Sequence, residues 1–357
     1  MTNDKGILIK NIYYMLTYAF QVLRQSNYED IASENFEQVQ DLFAAILSKG
    51  ISQQLKQGLY REYISQSEIL PVMRGKLDIQ GTIRQQTQRK RILACELDEL
   101  SENNIYNQIL KTTAAMLVRD GAVATEYKQA LRKTMLFFDG VDTIEPSAIR
   151  WNTLRFQQNN RTYQMLMNLC YFVLDGLLQT TEKGNYRMEA FSDDHMARLY
   201  ERFILEYYRH HHTYLQANAA QVKWDLDEDA DENAIKFLPI MQTDITLRYG
   251  GKTLIIDAKY YTHTMHSQFN SYTLHSNNLY QIFTYVKNMD TSGSGSVSGM
   301  LLYAKTGEAI TPDGDFSIGG NKISVKTLDL NCSFKLIASQ LDEIVGIAFG
   351  ANRKLSK

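Results

Sequence analysis

Two runs of β-type positions flank a glycine pair near the middle of the second half of the chain, and helical spacing governs most of what remains. Ile245–Tyr249 and Lys252–Ile256 are rich in branched and aromatic residues. Gly250-Gly251 between them is a hairpin signal. If the turn is centred on the glycines, Arg248 falls opposite Thr253, Ile245 opposite Ile256, and Asp244 opposite Asp257. Leu254-Ile255-Ile256 is an uninterrupted apolar run, the pattern of a strand covered on both faces. Further on, apolar residues at helical spacing predict a helix from about Asn277 to Asn288, followed by a strand at Met300–Ala304. Strand, helix, strand in that order is by default a right-handed crossover joining parallel strands. The Asp257 strand is therefore expected at the centre of a mixed sheet, with another strand at Ile323–Leu328 and a closing helix at Phe334–Phe349.

The first half reads differently. Helical stretches are expected from Tyr13, from Glu37 to Ser48, from Asn103 to Arg119, from Glu126 to Phe137 and from Thr162 to Leu178. A long helix starts at Asp193, with Met196, Leu199, Tyr200, Phe203, Ile204 and Tyr207 forming its apolar stripe. Glu201 lies off that stripe, either at the surface or directed toward the hairpin. Between about Glu62 and Glu99 the pattern turns β-like, interrupted by the polar stretch Arg84–Arg91, which reads as an exposed connection. The expected fold class is α/β: an α+β N-terminal domain (1–180) with a β-rich insertion at 62–99, then a mixed-sheet domain flanked by helices (181–357).

The hairpin register brings chemistry with it. Directly opposed side chains have Cβ atoms roughly 4.5–5.5 Å apart, where like charges repel. Two facing carboxylates at the end of a buried strand are costly unless paired or coordinated, so a divalent cation is the natural partner. Lys259 is two residues beyond Asp257 and shares its face. Two carboxylates and an ammonium on one face outline a metal-assisted hydrolysis site, weighed against the plainer reading of a solvated sheet edge.

Other polar clusters carry less. Consecutive residues on a helix point about 100° apart, so His210-His211-His212 cannot converge on one ion. The acidic run Asp225, Asp227, Glu228, Asp229, Asp231 and Glu232 lacks the glycine and spacing of a calcium loop. Cys95, Cys170 and Cys332 are too scattered for a zinc motif or a disulfide framework, which makes a reducing cytoplasm the default. No apolar stretch is long enough to span a membrane and no signal segment opens the chain. The formal net charge of −2, with a pI near 6.4, leaves little general grip on phosphate. Any action on nucleic acid then needs help from a partner.

Asp244, Asp257-Ala258-Lys259, and the pair Gln281 and Tyr285 four residues apart on the next helix resemble the PD-(D/E)xK nuclease superfamily in its Q-x-x-x-Y variant. Adding Asn11-Ile12-Tyr13-Tyr14-Met15-Leu16-Thr17-Tyr18-Ala19, Thr243-Asp244-Ile245-Thr246 and Tyr260-Tyr261, the chain resembles, over nearly its whole length, the McrC-like nuclease subunits of modification-dependent restriction systems. The resemblance implies an endonuclease in which Asp244, Asp257 and the Ala258 carbonyl ligate Mg²⁺. Lys259 then acts on the attacking water, with Gln281, Tyr285 and Glu201 in support. It also implies a hexameric McrB-like AAA+ GTPase as partner, which reads modified DNA and is stimulated by the N-terminal half. Within that half Arg74, in the β-rich insertion, is the favoured stimulating residue. No Walker A loop is present, as expected if nucleotide binds elsewhere. Thr243 stands where the superfamily name has proline. Two alternatives stay open: an adaptor that keeps the nuclease fold only as scaffold, and a stand-alone repair nuclease.

Overall fold

In a computed structural model of the protein, the first helix, α1 (Ile9–Phe20), belongs with the C-terminal half of the chain and not with the residues that follow it. One unit comprises Met1–Leu42 and Met188–Lys357, and the other Phe43–Arg187. The residues described are 3–4, 7–20, 31, 34, 36–156, 161–176, 178–180, 186–188, 193–228, 231–260, 266–268, 271–305 and 312–350. The second unit begins past α1. Hydrogen bonding explains why. The buried Asn11 side chain donates to the carbonyls of Leu330 and Cys332, at 2.8 Å each, and Tyr14 stacks on Phe334 with ring centroids 4.5 Å apart. These carbonyls would otherwise be left wanting a donor in a dry interior.

The unit Phe43–Arg187 begins within α2 (Val39–Gln57), whose Phe43, Ala44, Ile46 and Leu47 are fully buried. There follow β1 (Glu62–Leu70), β2 (Lys76–Leu77), α3 (Ile79–Thr87) and β3 (Leu93–Ser101). The strands form an antiparallel sheet in the order β1-β3-β2. The expected β-rich insertion is present, but its polar stretch is not simply a connection: Arg84 to Thr87 lie in α3. The signal overlooked is a cap. Asp78 accepts the amide of Gly81 at 3.0 Å and starts a helix where a continuing strand was read. Thr82 then fastens α3 to β3, its hydroxyl accepting from the Ala94 amide at 3.0 Å. Helices α4 (Ile105–Arg119), α5 (Thr125–Met135) and α6 (Arg161–Tyr171) complete the unit. Tyr163 of α6 donates to Asn107 of α4 at 2.7 Å and accepts from the Tyr60 amide at 2.8 Å. That network ties the foot of the sheet to the helices.

The other unit is built on α7 (Asp193–His211), β4 (Ile245–Tyr249), β5 (Lys252–Lys259), α8 (Ser276–Met289), β6 (Val297–Ala304), β7 (Gly314–Ile318), β8 (Asn321–Leu328) and α9 (Phe334–Phe349). Sheet order is β4-β5-β6-β8-β7. Strand β5 runs antiparallel to β4 and parallel to β6, as the crossover argument requires. The register is the expected one, with Arg248 opposite Thr253 and Ile245 opposite Ile256. Alternate residues Ile255, Leu301, Tyr303, Ile323 and Val325 join Ile282, Tyr285 and Val286 of α8 in one core. A Cβ at Gly299 would come within 2.8 Å of both Ile282 and Val286, so only glycine lets α8 settle this close to the sheet. Strand β7 was not foreseen; it is an exposed edge with an alternation too polar to stand out.

Candidate active site

Asp244 lies one residue before β4, and its placement starts with Thr243. The buried Thr243 hydroxyl accepts the Ala220 amide at 3.0 Å and lies 2.9 Å from the Thr246 hydroxyl. This fixes the entry to the strand, a task for which proline is not needed. Asp244 Oδ2 then accepts the amide of Ala258 at 2.8 Å, which orients its carboxylate across the end of β5. Nothing in the sequence marked that bond.

Asp257 and Lys259 project from the face of β5 that also carries Ile255, the face covered by α8. The Asp257 side chain is 1% exposed, and Lys259 Nζ lies 2.9 Å from its Oδ2. Apart from that ion pair and the neighbouring Asp244 carboxyl, neither Asp257 oxygen meets a polar partner among the described residues. On the other side, Lys259 Nζ donates to Gln281 Oε1 at 3.4 Å, and Gln281 Nε2 donates to the Tyr285 hydroxyl at 2.9 Å. One helix turn of α8 thus carries both residues of the Q-x-x-x-Y pair, with Gln281 at the ammonium and Tyr285 behind it.

Electrostatics describe a site short of positive charge. Burial raises the Asp257 carboxyl above the usual range; Lys259 opposes that and Asp244 adds to it. Asp244 is raised by burial as well, against the pull of Lys259 and the Ala258 amide. Glu201, half-buried on α7, is raised to about 7, by burial first and then by the charge of Asp244, with Lys259 opposing. It therefore feels the hairpin carboxylates. Three carboxylates gather around the Lys259 ammonium, with Arg198 also acting on Glu201, and buried carboxylates in such excess are an arrangement that a cation relieves. Among the described residues no three His, Cys, Asp or Glu side chains form a ready metal-binding group. A magnesium ion would therefore draw on the two aspartates, a backbone carbonyl and water, a donor set it accepts.

The remaining sequence candidates lie elsewhere. Arg74 is exposed on the turn between β1 and β2. Its neighbour Gly75 has φ +70°, and a Cβ there would stand 2.4 Å from the Glu96 carbonyl oxygen, so the turn cannot accommodate another residue. The histidines at the end of α7 diverge: His212 pairs with Asp342 at 2.8 Å and His211 meets the Tyr18 hydroxyl at 2.7 Å. Asp225, Asp227, Glu228 and Asp231 are exposed, and Asp231 caps a single helical turn. Asp229 and Tyr261 lie outside the described residues.

Set beside known proteins, residues 3–304 match a family described as the McrBC 5-methylcytosine restriction system component. A protein of Escherichia coli named Type IV methyl-directed restriction enzyme EcoKMcrBC is 29% identical over 343 residues, covering 95% of this chain and 97% of that one. Among solved structures, the half-complex of Thermococcus gammatolerans McrB AAA+ hexamers with bound McrC matches with a TM-score of 0.52. The identity is 18%, covering 94% of this chain and 76% of that one; the likeness is one of fold.

Proposed function

The chain belongs to the McrBC 5-methylcytosine restriction system component family, and from that premise we propose that it is the magnesium-dependent endonuclease subunit of a cytoplasmic, GTP-driven restriction complex. Its substrate is DNA carrying modified cytosine, recognised mainly through an AAA+ GTPase hexamer whose GTP turnover this chain stimulates. The observation that carries the reading is the buried Asp257 carboxylate, paired with Lys259 at 2.9 Å and set beside the oriented Asp244.

Magnesium held by Asp244, Asp257 and the Ala258 carbonyl would polarise the scissile phosphate and acidify a bound water. The chain's own residues do the rest. The Ala258 amide keeps Asp244 turned toward the site, so its charge is in place before substrate arrives. Lys259 orients the attacking water and offsets charge building on the phosphate. Gln281 steadies that ammonium through its carbonyl, and the Tyr285 hydroxyl fixes which way the Gln281 amide faces. Glu201, with its raised pKa, takes up or releases a proton near neutral pH. In the other unit Arg74 supplies positive charge toward the partner's nucleotide site.

The test is to replace Asp257 or Lys259 with alanine and assay methylated DNA with the GTPase present. Cleavage is expected to fall by at least about 10³-fold, the scale of losing a group that acts only in the transition state, while GTPase stimulation persists. Cleavage near the wild-type rate would overturn the site. Lost stimulation in the same variants would instead mean that they no longer assemble.

A further inference from the structure

Helices α2 and α5 leave an open groove of about 640 Å³ between them, on the unit that holds no part of the candidate active site. Leu55, Ala130 and Phe137 give it an apolar lining. The hydroxyls along its walls make no demand on a ligand. Ser48 donates to Ala45 at 3.0 Å, Ser52 to Ser48 at 2.7 Å and Thr134 to Leu131 at 2.7 Å, all within their own helices. Charge around the opening is lopsided: Lys49, Lys56 and Lys133 against Glu126 alone. Phe137 is itself 64% exposed, and Leu136 beside it 78%, just past the end of α5. Exposed apolar side chains continuous with a concave floor mark a place where something docks.

We propose that this groove seats an amphipathic helix bearing acidic side chains, contributed by a protein partner. Helices laid in grooves bury an apolar stripe at i, i+3, i+4 and i+7 and leave their flanks to meet the rim. Here the apolar lining takes the stripe, and Lys56 and Lys133 take carboxylates on the flanks. A phosphate backbone is the competing occupant, and the site is poorly made for one. Its lining is largely apolar, and Glu126 stands in the rim. The inference is independent of the nuclease reading, since it concerns neither the metal site nor DNA cleavage.

The probe is a fluorescein-labelled synthetic helix with leucines at the four stripe positions and glutamates on both flanks, titrated against the full chain by anisotropy. Saturable binding is expected, weakened at least about tenfold by the double variant Lys56→Glu, Lys133→Glu, a change of about 1.4 kcal/mol. Replacing the glutamates of the peptide with lysines should abolish binding to the wild type. Both substituted lysines are exposed, so an unchanged thermal midpoint shows that the variant is folded; Phe137→Ala gives a second, charge-neutral loss. Absence of saturable binding, equal binding by the double variant, or equal binding of the basic peptide would each overturn the proposal. So would displacement of the peptide by short duplex DNA, which would assign the groove to phosphate.

Discussion

At the scale of single residues, the candidate site is a balance between burial and charge, and the balance has a pH dependence. Glu201 titrates near 7 in the folded chain, above its usual 4.5, and Asp257 is raised as well. A carboxyl with a raised folded pKa holds more protons folded than unfolded, so stability is fully present below the unfolded pKa and is lost as pH rises through the folded value. The metal-free chain should therefore unfold at lower urea as pH goes from about 4.5 to about 7. Glu201→Gln should flatten that slope and stabilise the chain at pH 7.5 by on the order of 1 kcal/mol, after discounting for the solvent that still reaches this side chain. Urea midpoints in chelator at pH 5 and 7.5 decide it. A slope of opposite sign would mean that the carboxylates are held charged by something other than Lys259. Magnesium should bind more tightly as the same protons leave, which titration calorimetry at the two pH values would read.

Single elements carry the next argument, and the turn at Gly75 is the sharpest case. Gly75→Val puts a branched side chain at φ +70° and against the Glu96 carbonyl, so the turn must move and Arg74 with it. Loss of GTPase stimulation by Gly75→Val and by Arg74→Ala alike, with the complex still formed in gel filtration, is the expected result. Retained stimulation in both would take the function away from this turn. How much of such detail was legible in the sequence depended on periodicity. The β4–β5 register, the pairing of β5 on both edges and the span of α9 follow from apolar spacing and one glycine pair, because burial leaves those patterns little choice; β5 is second from the edge, with β6 in the middle. The start of α3 was missed because its outward residues Ile79 and Ile83 are themselves apolar, so the stretch lacks a clean helical face and only the Asp78 cap announces it. Strand β7 was missed because an exposed edge imposes almost no pattern. The site residues were readable as types at the right spacing. The Asp244–Ala258 bond and the anchoring of Thr243 were not, since both use backbone groups that a sequence does not display.

For the molecule as a whole, charge and chain connectivity set the expectations. With a net charge of −2, the chain alone should hold duplex DNA weakly at physiological salt. A tight complex formed without a partner would point to a basic surface that the charge count conceals. Connectivity makes a stronger demand. Helix α1 lies about 170 residues ahead of the rest of its unit, yet its contacts are made there. The Asn11 amide supplies donors to Leu330 and Cys332, Tyr14 and Tyr18 stack on Phe334, and the Arg202 side chain donates to the Ala19 carbonyl at 2.8 Å. Removing one partner from such buried bonds costs about 1–3 kcal/mol for each group left wanting, and removing α1 also opens the apolar surface that Ile12, Met15 and Leu16 cover. That is comparable with the entire stability of a typical domain, 5–15 kcal/mol. A fragment running from 188 to 357 is therefore expected to lack a cooperative unfolding transition. Adding a peptide of residues 1–42 in trans should restore one, with a midpoint that rises with peptide concentration as mass action requires. Circular dichroism with urea, with and without the peptide, reads this directly. If the fragment unfolds cooperatively by itself and ignores the peptide, α1 is an accessory to that unit, and an N-terminal truncation would become a clean way to separate cleavage from partner docking.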